Sequence, residues 1–224
     1  MYIAIEGLKG TGKSTLVGLL QSWLTTNGID FDLLCPDQPM ANDHWLEQKA
    51  LLPQFSERDE FRELLHNTRA NYHKQRVNFK KRLVIGDQSI FSHLVERWYR
   101  VTELGMKNYV NQVYRREYHL PWPDHVVMLT MPINDLYDRL TTEQSHDQEQ
   151  SMETSELYQH LIAEHHAFIE LEENAMFLGY GHVQWHHANA NQPFHDLVEC
   201  IGSYILKQLS HHPDNSQDHK NCAL

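Results

Sequence analysis

The stretch "YIAIEGLKGTGKSTLVGLLQSWL", Tyr2 to Leu24, contains three kinds of local order in succession. "YIAIE" is an apolar run suited to a strand buried on both faces. A glycine-dense loop follows. From Lys13 onward Leu16, Leu19, Leu20 and Trp23 recur at helical spacing, and the helix is expected to run to Asn27 and stop at Gly28. The loop "GLKGTGKST", residues 7–15, matches G-x-x-x-x-G-K-[ST] through Gly7, Gly12, Lys13 and Ser14. Glycines let backbone N–H groups turn inward around a phosphate, and the helix N-terminus adds its positive dipole end. The lysine reaches terminal phosphate oxygens, and the serine hydroxyl suits Mg²⁺. Strand before and helix after are the context this pattern requires, so the segment predicts a nucleoside triphosphate site.

Outward from this unit the chain alternates. "DFDLLC" (30–35) reads as a second strand, ended by "PDQP", and residues 57–80 as an amphipathic helix carrying Phe61, Leu64, Leu65, Thr68 and Tyr72. "LVIGD" (83–87) is a third strand ending in an aspartate, followed by helices near 90–100 and 106–118. "HVVMLTM" (125–131) is a fourth strand, and a short helix behind Pro132 is expected to end near Arg139. Residues 141–153 have loop composition, 154–174 a long helix, 182–187 a fifth strand and 194–209 a last helix, with a frayed tail from 211. Alternating strands and helices, with continuously apolar strands, predict one α/β domain over 1–210 whose parallel sheet is covered on both faces. Ligands then bind beyond the carboxyl ends of the strands.

Composition narrows the function classes. The formal net charge is −11, and residues 140–224 account for it, with 2 Lys+Arg against 13 Asp+Glu. From Leu140 to Leu206 there is no lysine or arginine. A nucleic-acid partner needs a cationic face, so none is expected. No apolar run approaches a membrane span, and a cytoplasmic protein without a membrane partner is expected. Cys35, Cys200 and Cys222 are too few and too scattered for a disulfide framework. The pairs His165–His166 and His186–His187 come without an HExxH or Cys/His pattern, and solvated histidines are expected there.

Three further residues stand at strand ends or on a buried stripe. Asp87, ending strand three, can hold Mg²⁺ or cap the helix beginning near Ser89. Asp37 can take a proton from an acceptor hydroxyl, organise the metal, or form a turn beside Pro36 and Pro39. Arg69, three and four residues from Tyr72 and Leu65, can meet an anionic substrate or pair with Asp59 or Glu63.

These motifs, in this order, resemble thymidylate kinases and, more loosely, deoxynucleoside kinases. "IEGLKGTGKST" is similar to their opening strand and P-loop, and "LLHNTRANYH" (64–73) to the acceptor-site helix. "VIGDQSIFS" (84–92) resembles their Asp-Arg…Ser segment, and "PDHVVMLTMPINDLYDRL" (123–140) their Pro-Asp strand and following helix. The resemblance covers about residues 1–175. It implies a three-layer P-loop NTPase fold with a five-stranded parallel sheet flanked by helices and a small lid near 141–153. It implies an ATP- and Mg²⁺-dependent kinase acting on a small-molecule nucleoside or nucleoside monophosphate, commonly as a homodimer. On this reading Gly7, Gly10, Thr11, Gly12, Lys13, Ser14, Thr15 and Arg139 bind ATP, with Arg139 on the adenine side. Ser14 and Asp87 serve the metal. Lys9, Lys13, Asp37 and Asp87 serve catalysis, and Arg69, Leu65 and Gln88 line the acceptor site.

Several positions depart from the resemblance. Gln88 stands where the family usually has arginine, Lys9 where it usually has an acid, Thr130 where aspartate is common, and Leu65 where a phenylalanine stacks on thymine. The segment 141–153 lacks the lid arginines. One well-placed arginine is worth about 10³–10⁵ in phosphoryl transfer, so two outcomes stay open. Either cations have moved to Lys9 and Arg115–Arg116, with His146 contributing when protonated, or the chain binds nucleotide with little transfer. The acidic lid favours a neutral acceptor over a monophosphate; the retained Arg69 favours the reverse.

Overall fold

The computed structural model of the protein describes residues 1–40, 44–56, 58–117, 120–144 and 154–211. In chain order the elements are β1 (Tyr2–Gly7), α1 (Lys13–Thr26), β2 (Asp32–Leu34), α2 (Trp45–Ala50), α3 (Pro53–Ser56), α4 (Asp59–Lys74), β3 (Val84–Asp87) and α5 (Ile90–Glu96). A 3₁₀ turn at Trp98–Arg100 leads into α6 (Val101–Leu104), α7 (Met106–Arg116), β4 (His125–Thr130), α8 (Ile133–Gln144), α9 (Thr154–Glu173), α10 (Ala175–Leu178), β5 (Gln184–Asn189) and α11 (Phe194–His211). The five strands form one parallel sheet in the order β2-β3-β1-β4-β5. The expected α/β class and strand count both hold.

Alternation along the central strands supplies both faces of the sheet. Ile3 and Ile5 of β1, Ile85 of β3, and Val127 and Leu129 of β4 face α1 and α11, packing on Leu16, Leu20, Leu24, Leu197, Ile201 and Ile205. On the opposite face Val126 and Met128 meet Phe91, Leu94, Tyr109, Leu161, Phe168 and Leu171 from α5, α7 and α9. Tyr2, Ala4 and Val84 join that face through a smaller cluster. Among the described residues no helix is long and apolar enough to cross a membrane. Cys35 and Cys200 are free thiols; Cys222 lies outside the described residues.

The second strand is shortened to Asp32–Leu34 and the helix near 90–100 to Ile90–Glu96, and larger differences from the sequence reading lie elsewhere. The helix expected over 57–80 spans only Asp59–Lys74. The pieces α2 and α3, too short to show periodicity, fill part of a stretch left unassigned. The fifth strand is shifted to Gln184–Asn189, and as an edge strand it is half exposed, so its apolar signal is weak. The helix expected to stop near Arg139 continues to Gln144, because Leu140 is buried beneath the glycine-rich loop and holds the turn in register. Residues 141–144 of the expected lid are therefore helix; 145–153, with His146, lie outside the described residues, as do 212–224.

Candidate active site

The register of the sheet brings the candidate residues together. Ile5 of β1 lies opposite Asp87 of β3, and Gly7 opposite Leu129 of β4, so β1, β3 and β4 end at one edge. Beyond that edge opens a cleft of about 530 Å³ lined by Gly7, Lys9, Gly10, Gly12, Lys13, Ser14 and Thr15 on one side. Asp37, His66, Arg69, Gln88, Ser92 and Glu96 line the other, with Arg139, Glu164 and Phe168 contributed by α8 and α9. Three residues of the sequence reading do not line it. Thr11 is turned inward, its hydroxyl donating to Leu8 O at 2.8 Å. Leu65 is buried in a separate cluster with Met40 and Leu46, which seats α2 against α4. Asp87 lies just beneath the cleft floor, 8% exposed.

Glycine is required where the loop turns. Gly12 has φ +90, and a Cβ there would lie 2.6 Å from the Phe194 ring. Gly10 has φ +86, and a Cβ would meet Leu140 at 2.7 Å. Both need the left-handed region that only glycine adopts cheaply, and both are overlaid by a neighbouring helix. The Lys13 ammonium donates to Gly7 O at 2.7 Å and Leu8 O at 3.0 Å, spanning the loop from within. Burial pulls its pKa down, against the attraction of Glu6 and Asp87. Burial raises Asp87, opposed by a hydrogen bond from Ser14 and by Lys13. Asp87 Oδ1 is buried and accepts no hydrogen bond from the described residues. A carboxylate oxygen without a donor, beside the serine hydroxyl at a helix start, is a hard-oxygen set that fits Mg²⁺. The rival role for Asp87 falls to Ser89, which caps α5 by accepting from Phe91 N.

Beneath this lies a carboxylate that the sequence reading missed. Glu6 is fully buried in β1, accepting from Ser89 Oγ and Ser92 Oγ, each at 2.6 Å. Burial raises its pKa to about 7, against the two serines and Lys13. An acid inside an otherwise apolar strand was the available signal. Next to it Gln88 has φ +71, a conformation uncommon for a residue with a side chain. Its N–H donates to Ile5 O at 3.1 Å and its side-chain amide to Ser92 Oγ at 3.3 Å. Positive φ outside glycine concentrates at functional sites.

On the far side the charges are matched to one another. Asp37 sits in a turn closed by Gln38 N to Cys35 O at 3.2 Å, so its turn role and its cleft position coexist. Asp37 Oδ1 contacts His93 Nε2 directly and lies 3.4 Å from His66 Nδ1. Burial pushes Asp37 up, but the two histidines overcome it and hold it well below the carboxylate range. Fully buried His93 is pulled down by burial, yet Asp37 and Glu117 raise it well above an ordinary histidine. His93 Nδ1 is 3.1 Å from Glu117 Oε2, and Arg97 donates to Glu117 Oε1 at 3.0 Å. Asp37, His66 and His93 offer three ligand atoms within 4.8 Å of one another. As the structure stands, the Asp37 carboxylate and the two imidazoles are bonded to one another as a chain. Nothing in the sequence links residues 37, 66, 93 and 117; only the fold does.

Arg69 pairs with neither Asp59 nor Glu63. Its Nε and Nη2 donate to Glu47 Oε1 and Oε2 at 2.8 and 2.6 Å, and Nη1 to the backbone oxygen of Asp37 at 3.3 Å. Glu63 is instead shared by Arg97, Arg100 and Arg116. Arg115 and Arg116 are not among the cleft residues, so the expected transfer of cations to that pair does not occur. Lys9 and Arg139 do line it.

No family model matches the chain. A stretch of 32 residues is 53% identical to a probable thymidylate kinase of Methanobrevibacter smithii, covering 14% of this chain and 17% of that protein. The chain is thus similar over a short segment to a nucleotide kinase, and its five-stranded parallel sheet with flanking helices is consistent with a P-loop NTPase fold.

Proposed function

We propose that the protein is a nucleotide or nucleoside kinase, transferring the γ-phosphoryl group of ATP to a nucleoside or nucleoside monophosphate. The observation that carries this reading is the single cleft in which the glycine-rich loop, with Lys13 and Ser14, faces Asp37, Arg69 and Gln88. The short likeness to a thymidylate kinase supports it. In this reading the loop amides and the α1 N-terminus hold the phosphate tail. Lys13 exchanges Gly7 O and Leu8 O for phosphate oxygens. Ser14 and Asp87 hold Mg²⁺, which supplies charge neutralisation on the migrating group. Lys9 adds positive charge from the loop tip, Arg139 borders the nucleoside of ATP, and Asp37 orients the acceptor's hydroxyl as a hydrogen-bond acceptor.

The test is ATP consumption against a panel of nucleosides and their monophosphates. Turnover that depends on an acceptor supports the reading. ATP binding with no acceptor-dependent turnover would favour a nucleotide-binding regulator, a reading that Gln88 in place of a cation supports.

A further inference from the structure

Glu47 has no role in anything described so far except as the partner of Arg69. That pairing is built in. Glu47 Oε1 accepts from Arg69 Nε at 2.8 Å and from Met40 N at 2.9 Å, while Oε2 accepts from Arg69 Nη2 at 2.6 Å. The side chains are only 16% and 11% exposed for Arg69 and Glu47. The fork of Arg69, the geometry with which a guanidinium takes a phosphate or carboxylate, is already filled by a carboxylate. Leu46, the neighbouring residue, is buried with Met40 and Leu65 and fixes α2 in place.

The other charged groups in this half of the cleft do not compensate. His66 lies between two carboxylates, 3.4 Å from Asp37 and 3.3 Å from Glu96. Gln88 and Ser92 are neutral hydrogen-bonding groups. An acceptor carrying a phosphate would meet Asp37 and Glu96 in the cleft wall, and an Arg69 whose charge is already matched by Glu47 behind it. Like charges a few ångströms apart in a partly buried site repel strongly, because the surroundings screen them less than water does.

Resting on the kinase reading for the reaction, we infer that Glu47 is a specificity residue that excludes anionic acceptors, and that the acceptor is an uncharged alcohol of the nucleoside class. Glu47, behind the cleft wall, fills the Arg69 fork that a monophosphate would otherwise take. The acceptor's hydroxyl oxygen forms a bond to the γ-phosphorus, the bond from that phosphorus to the β–γ bridging oxygen breaks, ADP leaves, and the hydroxyl proton is released to solvent, with Asp37 orienting the hydroxyl as a hydrogen-bond acceptor.

The experiment pairs each nucleoside with its 5′-monophosphate and measures both turnover and equilibrium binding for the wild type and for Glu47→Gln. The wild type should prefer the nucleoside by at least about 100-fold in kcat/KM, because mismatched polar groups in a buried site discriminate more strongly than a missing methylene. Glu47→Gln, nearly isosteric, should raise kcat/KM and affinity for the monophosphate by at least about 10-fold. A wild type that favours the monophosphate overturns the inference, whether or not the variant folds. A folded Glu47→Gln with unchanged monophosphate affinity removes Glu47 from selectivity. If no acceptor is turned over but the nucleoside binds more tightly than the monophosphate, the kinase reading fails and the exclusion of anions stands.

Discussion

The two sides of the cleft are made from different materials. The loop side is one contiguous segment, residues 7–15, whose shape depends on glycines with positive φ and on helices laid over them. The far side collects side chains from the turn after β2 and from α4 and α5, backed by Glu47 of α2, and joins residues as distant in sequence as Asp37 and Glu96. On the loop side Lys13 is bonded only to backbone carbonyls of its own loop, partners that a bound phosphate can replace. On the far side each cation meets a carboxylate. One side is poised to take negative charge and the other has spent its positive charge internally. On the proposed reading, that polarity orients a polyanion at one end and leaves the other for a neutral partner.

The largest expected effect tests the loop side. Lys13→Ala should lower acceptor-dependent turnover by about 10³ or more, because preorganised positive charge at the migrating group is the main catalytic resource in such chemistry. The fold should persist, since the lost contacts are two carbonyl hydrogen bonds. Steady-state kinetics with a thermal melt would show both. Near-normal turnover would mean that the loop holds phosphate without assisting transfer.

Asp37→Asn tests the far side. Loss of the carboxylate that orients the acceptor hydroxyl predicts a fall in turnover of about 10², while ATP affinity, read by calorimetry, should change little. The substitution also leaves buried His93 with Glu117 as its remaining anion. The acid limb has a defined sign. Asp37 is held below its ordinary value, so it contributes stability that is present above about pH 4 and lost as pH falls. That acid loss should be smaller in Asp37→Asn.

Glu6 joins the two sides, bonded to Ser89 and Ser92 and attracted by Lys13. Its pKa is raised, so the folded state binds a proton more tightly than the unfolded state, and stability falls as pH rises from about 4.5 to about 7. A shift of that size corresponds to ~3 kcal/mol. Glu6→Gln should remove this decline, giving denaturant midpoints that change less between pH 5 and 7 than those of the wild type. Raised His93 adds a loss of stability toward alkaline pH in both proteins, so the difference between the two curves isolates Glu6. Parallel curves would mean that Glu6 titrates normally and that the joint is not a buried neutral acid.

What was legible in the sequence follows the same division. The loop, its strand and its helix were read with their chemistry because every determinant is local: apolar period, glycine spacing, and a lysine and serine at a helix start. That Asp37 and Arg69 face the cleft was also legible, since a strand end and a buried stripe are local signals. Their partners were not. Glu47 lies in a stretch too short for periodicity, and His66, His93 and Glu117 become neighbours only when α4, α5 and α7 pack. The extension of α8 to Gln144 was missed because Leu140 is buried by the loop from the start of the chain. Pairings across large sequence separation carry no pattern in one sequence, so charge compensation in the far side had to be read from the fold.

The smallest effect concerns the position where the loop side reaches toward the far side. Lys9 is exposed at the loop tip, lining the cleft. With Gln88 neutral and Arg69 bound to Glu47, Lys9 is the described cleft cation, besides Lys13, carried by the glycine-rich loop itself. An exposed lysine is flexible and strongly hydrated, and gains less from preorganisation than a buried group. Lys9→Ala should therefore lower turnover by about 10-fold, less than Lys13→Ala, and leave ATP affinity within about 3-fold, because charge acting on the migrating group favours the transition state over the bound substrate. Equal losses in turnover and ATP affinity would make Lys9 a simple phosphate contact. Unchanged kinetics would leave Lys13 as the loop side's chemical cation and the asymmetry between the sides sharper still.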